Sequence, residues 1–144
     1  MLPEIIEFIN SQRICVLALE MLDGSPHGST VHYAYDEKSG TFFFETYSTY
    51  RKGEVLAKKS TVRASIVIGV DESNMKTLQL DGEARLITSE EKENYDKVYF
   101  EKFPNKKEKS VDPKFVFFCF TPKWWRYTDW TKKDGKKIIC SEDK

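Results

Sequence analysis

Apolar residues recur along this chain with two periods. Leu2, Ile5, Ile6 and Ile9 share one face at helical spacing, and Pro3 and Glu4 suit a first helical turn, so the chain is expected to open with a short amphipathic helix. The continuous apolar run after Arg13, from Ile14 to Leu19, predicts a strand buried on both faces. Asp23-Gly24-Ser25-Pro26 is a turn signal. Ser29 to Tyr35 then predicts one strand, with Ser29, Val31, Tyr33 and Tyr35 opposite Thr30, His32 and Ala34. Asp36 to Gly40 closes a hairpin, and the aromatic run Thr41 to Thr46 returns.

A helix is expected from about Tyr50 to Lys59, with Val55 and Leu56 facing inward and Ser48 or Thr49 as its cap. Period two resumes at Val62, Ala64, Ile66 and Ile68, and again at Leu78, Leu80, Gly82, Ala84 and Leu86, where Gly82 suggests a bulge or bend. Thr88 and Glu91 have capping-box spacing and predict a helix with Tyr95, Val98 and Tyr99 as its stripe. Asn105 to Lys109, with Lys106, Lys107 and Lys109, is expected to be a solvated loop. Phe115 to Thr121 and Trp124 to Trp130 predict two further strands around Pro122. The pattern describes a mostly β antiparallel domain over residues 1–131, closed or half-closed as a barrel to manage its sheet edges. Residues 132–144 read as a basic, loosely held tail.

Composition narrows the function classes. At 144 residues the chain fits one core, and Lys plus Arg equals Asp plus Glu at 23 each, which argues against a general nucleic-acid binder. Cys15, Cys119 and Cys140 form no close pair, so buried free thiols are expected rather than disulfides or zinc. With two histidines and no clustered carboxylates, no metal site is expected. No signal peptide pattern or membrane-length apolar run is visible, so a cytoplasmic location is the expectation.

The strongest local chemistry lies at Thr46-Tyr47-Ser48-Thr49-Tyr50-Arg51-Lys52. A strand ends there and a helix begins, so unpaired backbone N–H groups and the helix dipole favour an anion. Arg51 can grip phosphate oxygens bidentately, Lys52 adds a point charge, and the hydroxyls can donate hydrogen bonds. Local chemistry leaves a second reading open, in which this is a solvent-exposed helix start whose basic pair meets nearby acids.

The ordered set of segments resembles the flavin-binding split-barrel family related to pyridoxamine 5'-phosphate oxidase. Phe44 to Gly53 is similar to that family's aromatic strand, hydroxyl-rich loop and Arg-Lys pair. Asp23 to His27, Ser29 to Tyr33, Leu80-Asp81-Gly82-Glu83-Ala84 and Pro122 to Tyr127 follow in family order. The resemblance implies an antiparallel Greek-key split barrel and a homodimer with FMN in the intersubunit cleft. Arg51 and Lys52, with Thr46, Tyr47, Ser48 or Thr49, would hold the phosphate. Ser29, Thr30 and Val31 would edge the ring. Tyr50 stands where the family often has Ser.

Other candidates carry two readings each. His32 could bond the ring or a substrate, or be a structural histidine. Gln79 could approach the ring or simply face outward. Trp125 and Arg126 could reach a partner's cofactor, while core packing is the bland reading for the tryptophan. No His follows His32, so the resemblance implies a flavin-dependent oxidoreductase of an unidentified small molecule rather than the oxidase itself. A deazaflavin F420 or haem protein on the same fold, or a non-catalytic flavin-binding or stress-associated protein, stands as the alternative.

Overall fold

The computed structural model describes residues 1–143; Lys144, the end of the expected tail, lies outside the described residues. Helix α1 (Pro3–Ser11) leads into β1 (Ile14–Glu20), β2 (Pro26–His32), β3 (Ala34–Asp36) and β4 (Thr41–Tyr47). Then follow α2 (Arg51–Lys58), β5 (Val62–Ile68), β6 (Lys76–Leu86), α3 (Lys92–Lys102), β7 (Phe115–Asp129) and β8 (Lys137–Cys140). The strands form one antiparallel sheet in the order β2-β1-β5-β6-β7-β4-β3, with β8 also on β7. The sheet curls until β2 comes against β4, giving the split barrel that the family resemblance implies.

Period-two faces account for the interior. Cys15, Leu17 and Leu19 of β1, Ile66 and Ile68 of β5, and Leu78, Leu80 and Ala84 of β6 point inward, with Phe42, Phe44, Phe118 and Phe120. Each such large apolar side chain contributes roughly 1.5–3 kcal/mol by leaving water. Ile5, Phe8 and Ile9 of α1 and Val55 and Leu56 of α2 complete this core. A second, smaller core lies on the other face of β3, β4 and β7, where Tyr95, Tyr99, Phe100 and Phe103 pack on Ala34, Phe43 and Cys119. Both buried cysteines are free thiols.

Several expectations change. Strand β1 is buried on one face only, because Val16 is 37% exposed on the outer side. The strand expected from Ser29 to Tyr35 breaks at Tyr33, whose hydroxyl turns inward to donate to the Ile9 carbonyl at 2.6 Å. The two strands expected around Pro122 are one 15-residue strand. Its register on β6 shifts at Asp81/Gly82, so Lys123 bulges out and Pro122, which has no N–H to donate, is accommodated. Gly82 is required there, since a Cβ would lie 2.1 Å from the Thr121 carbonyl oxygen. The inward residue of α1 between Ile5 and Ile9 is Phe8, while Leu2 is exposed. Nor is the segment from 132 loose throughout: β8 pairs with β7, Ile139 packs on the main core and Lys137 bonds Glu4. The Thr88–Glu91 capping box forms, with each backbone N–H bonded to the other's side chain just ahead of α3.

Candidate functional site

The α2 start is built by one very close approach. A Cβ on Gly53 would lie 2.3 Å from the Tyr47 carbonyl oxygen, so only glycine lets the first helical turn rest on the end of β4. The intervening loop is held by the Ser48 N–H on the Lys114 carbonyl at 2.7 Å and by the Tyr47 ring stacked on Phe115 at 4.3 Å. Tyr50 is the N-cap residue and provides no side-chain cap, so neither Ser48 nor Thr49 caps α2. The helix start keeps its unpaired N–H groups facing out of the helix.

The geometry divides the basic pair. Arg51 is exposed and lines a 260 Å³ cavity with Met21, Leu22, Asp23, Glu54 and Val55. Lys52 turns inward and is 8% exposed. Among the described residues its ammonium has no acid or hydrogen-bond acceptor; the Tyr50 ring, 5.8 Å away, is its one charge-stabilising neighbour. Burial lowers its pKa. Two more of the residues singled out from sequence carry buried oxygens without a partner: Thr46 Oγ1 and Ser29 Oγ. An unpaired buried hydroxyl costs stability unless something compensates it. A phosphate would suit this donor set, since ammonium, hydroxyls and helix N–H groups all donate.

Gln79 and Arg126 come together elsewhere. Arg126 Nη2 donates to Gln79 Oε1 at 2.9 Å across the β6–β7 pair. Cross-strand register places them in one lateral row on the outer face, running Thr30, Val16, Val67, Gln79, Arg126. Thr46 pairs with Val116, ten positions before Arg126 on β7, which is roughly 33 Å of strand. The Trp125 side chain is buried within the main core.

His32 lies at the end of β2 in a cluster that sequence reasoning missed. Lys106, expected in a solvated loop, is half-buried: its Nζ is 3.1 Å from His32 Nδ1, donates to Tyr99 Oη at 3.2 Å, and is 3.6 Å from Glu45 Oε1. Arg13, Lys102 and Lys106 all lie over the Phe103 ring. Burial lowers the Lys102 pKa to about 8, aided by the Arg13 charge. Burial, then the Lys106, Arg13 and Lys102 charges, push His32 below its ordinary value. The available signal was the interleaving of Tyr99, Lys102, Phe103 and Lys106 at helical spacing. Among the described residues no His, Cys, Asp or Glu group could hold a metal ion, and no helix is long and apolar enough to cross a membrane.

With this geometry, the chain was compared with known proteins. No curated protein matches its sequence. Solved structures share the fold at low identity. A general stress protein 26-related protein of the pyridoxinephosphate oxidase family from Clostridium acetobutylicum is 20% identical, with TM-score 0.66, covering 97% of this chain and 94% of that one. HutZ, the haem storage protein from Vibrio cholerae, is 19% identical, with TM-score 0.65 and coverage of 84% and 89%. A haem-binding protein from Mycobacterium smegmatis is 16% identical, with TM-score 0.71; 94% of this chain is covered, which spans 55% of that protein. The model of the family described as pyridoxamine 5'-phosphate oxidase matches residues 1–129. The chain therefore belongs to the pyridoxamine 5'-phosphate oxidase family.

Proposed function

We propose that this protein binds FMN at the α2 start and works as a flavin-dependent oxidoreductase of a small molecule, as a homodimer. The observation that carries this reading is the largely buried Lys52 side chain, whose ammonium has no acid beside it, together with the buried, unpartnered hydroxyls of Thr46 and of Ser29 on β2. Lys52, Thr46 and the α2 N–H groups would hold the phosphate, with Arg51 gripping from the solvent side and Ser48 or Thr49 adding donors. The backbone of Ser29 to Val31 would edge the ring. A bound flavin supplies hydride chemistry, while the protein binds it, orients it and limits access of water.

The homodimer reading draws support from the outer face. Val16, Val67, Gln79 and Arg126 form one row on the outer face, where Val16 and Arg126 are exposed, and Arg126 lies far along β7 from Thr46. A second copy placed on this face would bring Gln79 and Arg126 to the first copy's cofactor. A haem-binding role is the second reading, favoured by the two structural neighbours that are haem proteins.

The absorption spectrum of purified protein titrated with FMN or hemin separates these readings: flavin bands support the first and a Soret band the second. Anaerobic reduction of the FMN complex by NAD(P)H distinguishes a reductase from a passive binder. Arg51→Ala with Lys52→Met is expected to weaken FMN about 100-fold, from two lost charge-assisted contacts, while riboflavin changes little. Equal losses for both ligands would overturn the phosphate assignment. A flavin-binding monomer in sedimentation would overturn the intersubunit site.

A further inference from the structure

The contact between Lys106 and His32 determines more than packing. The Lys106 ammonium has three N–H bonds and three neighbours that can accept: His32 Nδ1 at 3.1 Å, Tyr99 Oη at 3.2 Å and Glu45 Oε1 at 3.6 Å. Burial lowers the Lys106 pKa, and the Glu45 carboxylate, whose side chain is only 10% exposed, opposes this by favouring the charged ammonium. An ammonium can donate but never accept. Nδ1 must therefore present its lone pair, and the ring proton must reside on Nε2. A ring flip would put a C–H against the ammonium, and protonating Nδ1 would set two donors head to head. The ring is also held edge-on to buried Phe103 at 5.1 Å. Arg13 and Lys102, over the same Phe103 ring, add positive charge that disfavours an imidazolium.

We infer that Lys106 is a positioning residue that holds His32 in its Nε2–H tautomer, making His32 a one-way hydrogen-bond donor to an acceptor atom of a bound ligand and unfit to ligate iron. Iron ligation needs an imidazole lone pair. Here the one on Nδ1 faces Lys106, and Nε2 carries the proton. The tautomer follows from geometry alone; the role as a donor to the cofactor rests on the FMN reading.

The test begins without any cofactor. Two-bond proton–nitrogen correlation spectra of the 15N-labelled protein near pH 7 should show His32 as a single Nε2–H tautomer. Lys106→Met should turn this into an averaged pair of tautomers and raise the His32 pKa. An Nδ1–H or averaged pattern in the wild type, or a pattern unchanged in Lys106→Met, overturns the inference. Should Lys106→Met fail to fold, shown by loss of backbone amide dispersion, Lys106→Ala is the substitute: it also removes the ammonium from Nδ1, and an unchanged His32 pattern overturns the inference. Hemin titration gives an independent readout. The wild-type Soret band, if any forms, should be indifferent to His32→Ala; loss of the band on that substitution overturns the inference. Failure of FMN to bind would sink the flavin reading and leave the tautomer result standing.

Discussion

Two lysines on the same small barrel have opposite surroundings. Lys52 at the α2 start is buried with an aromatic ring beside it and no acid, and the hydroxyls of Thr46 and Ser29 are likewise buried and unpartnered. Lys106, beyond α3, is half-buried with His32, Tyr99 and Glu45 around it. The first region leaves donor capacity unspent, which costs stability and suits an anionic ligand. The second satisfies its own groups and behaves as scaffold that holds a neighbouring side chain in one state. Burial of a cation therefore says little about its role until its partners are counted.

Four substitutions and one pH dependence bear on this contrast. The largest effect is expected at Gly53, because an added Cβ meets backbone rather than a flexible side chain. Gly53→Ala should cost about 3 kcal/mol in urea unfolding and abolish FMN binding, as a rigid overpacked contact does. Tolerance of this change would mean that α2 does not need its close seat on β4. Next come the lysines themselves. Lys106→Met should destabilise by about 2 kcal/mol, because Glu45 is left largely buried without its cation. Lys52→Met should instead stabilise the cofactor-free protein by about 1 kcal/mol while FMN affinity falls. The same sign of stability change at both positions would break the comparison.

A smaller effect is expected at Thr46. Thr46→Val keeps the shape and removes a hydroxyl that has no partner, so cofactor-free stability should hold or rise by about 0.5 kcal/mol while FMN binds about tenfold less tightly. Calorimetric titration with FMN measures the second part; unchanged affinity would take Thr46 out of the cradle. The smallest effect is in pH. His32 in the folded chain titrates below its ordinary 6.5, so the unfolded chain takes up a proton first as pH falls. The His32 contribution to stability is thus present above about pH 6.5 and declines below it toward the folded value. Comparing urea midpoints of the wild type and His32→Gln between pH 7.5 and 5 isolates this slope, and a gap between them independent of pH would contradict it.

Much of the barrel was legible because it depends on short-range periodicity. Alternation in β5 and β6, the Gly82 bulge, the inward Val55 and Leu56, and the Thr88–Glu91 box follow from side-chain directions and local bonding. The breaks in this legibility have specific causes. The apolar run from Ile14 to Leu19 gives no hint that one face lacks a cover, because which face of β1 a helix covers is decided by elements far along the chain. Tyr33 ends β2 because its hydroxyl reaches the α1 carbonyl of Ile9, a contact invisible to alternation. Pro122 suggested a strand break, yet the bulge at Lys123, next to it on the same strand, accommodates its missing N–H.

The candidate site shows the same division. The residue types from Thr46 to Lys52, and their place between an aromatic strand and a helix, marked a donor-rich segment in the sequence, with an anion cradle and a solvent-exposed helix start both left open. Only the fold sent Lys52 inward and Arg51 outward, because α2 rests on Tyr47 through Gly53 and this sets which side of its first turn faces the barrel. Sequence likewise carried the aromatic-basic interleaving from Tyr99 to Lys106 without its meaning. That meaning required β2 and β4 to bring His32 and Glu45 alongside, since the state of an imidazole is set by what approaches it through space.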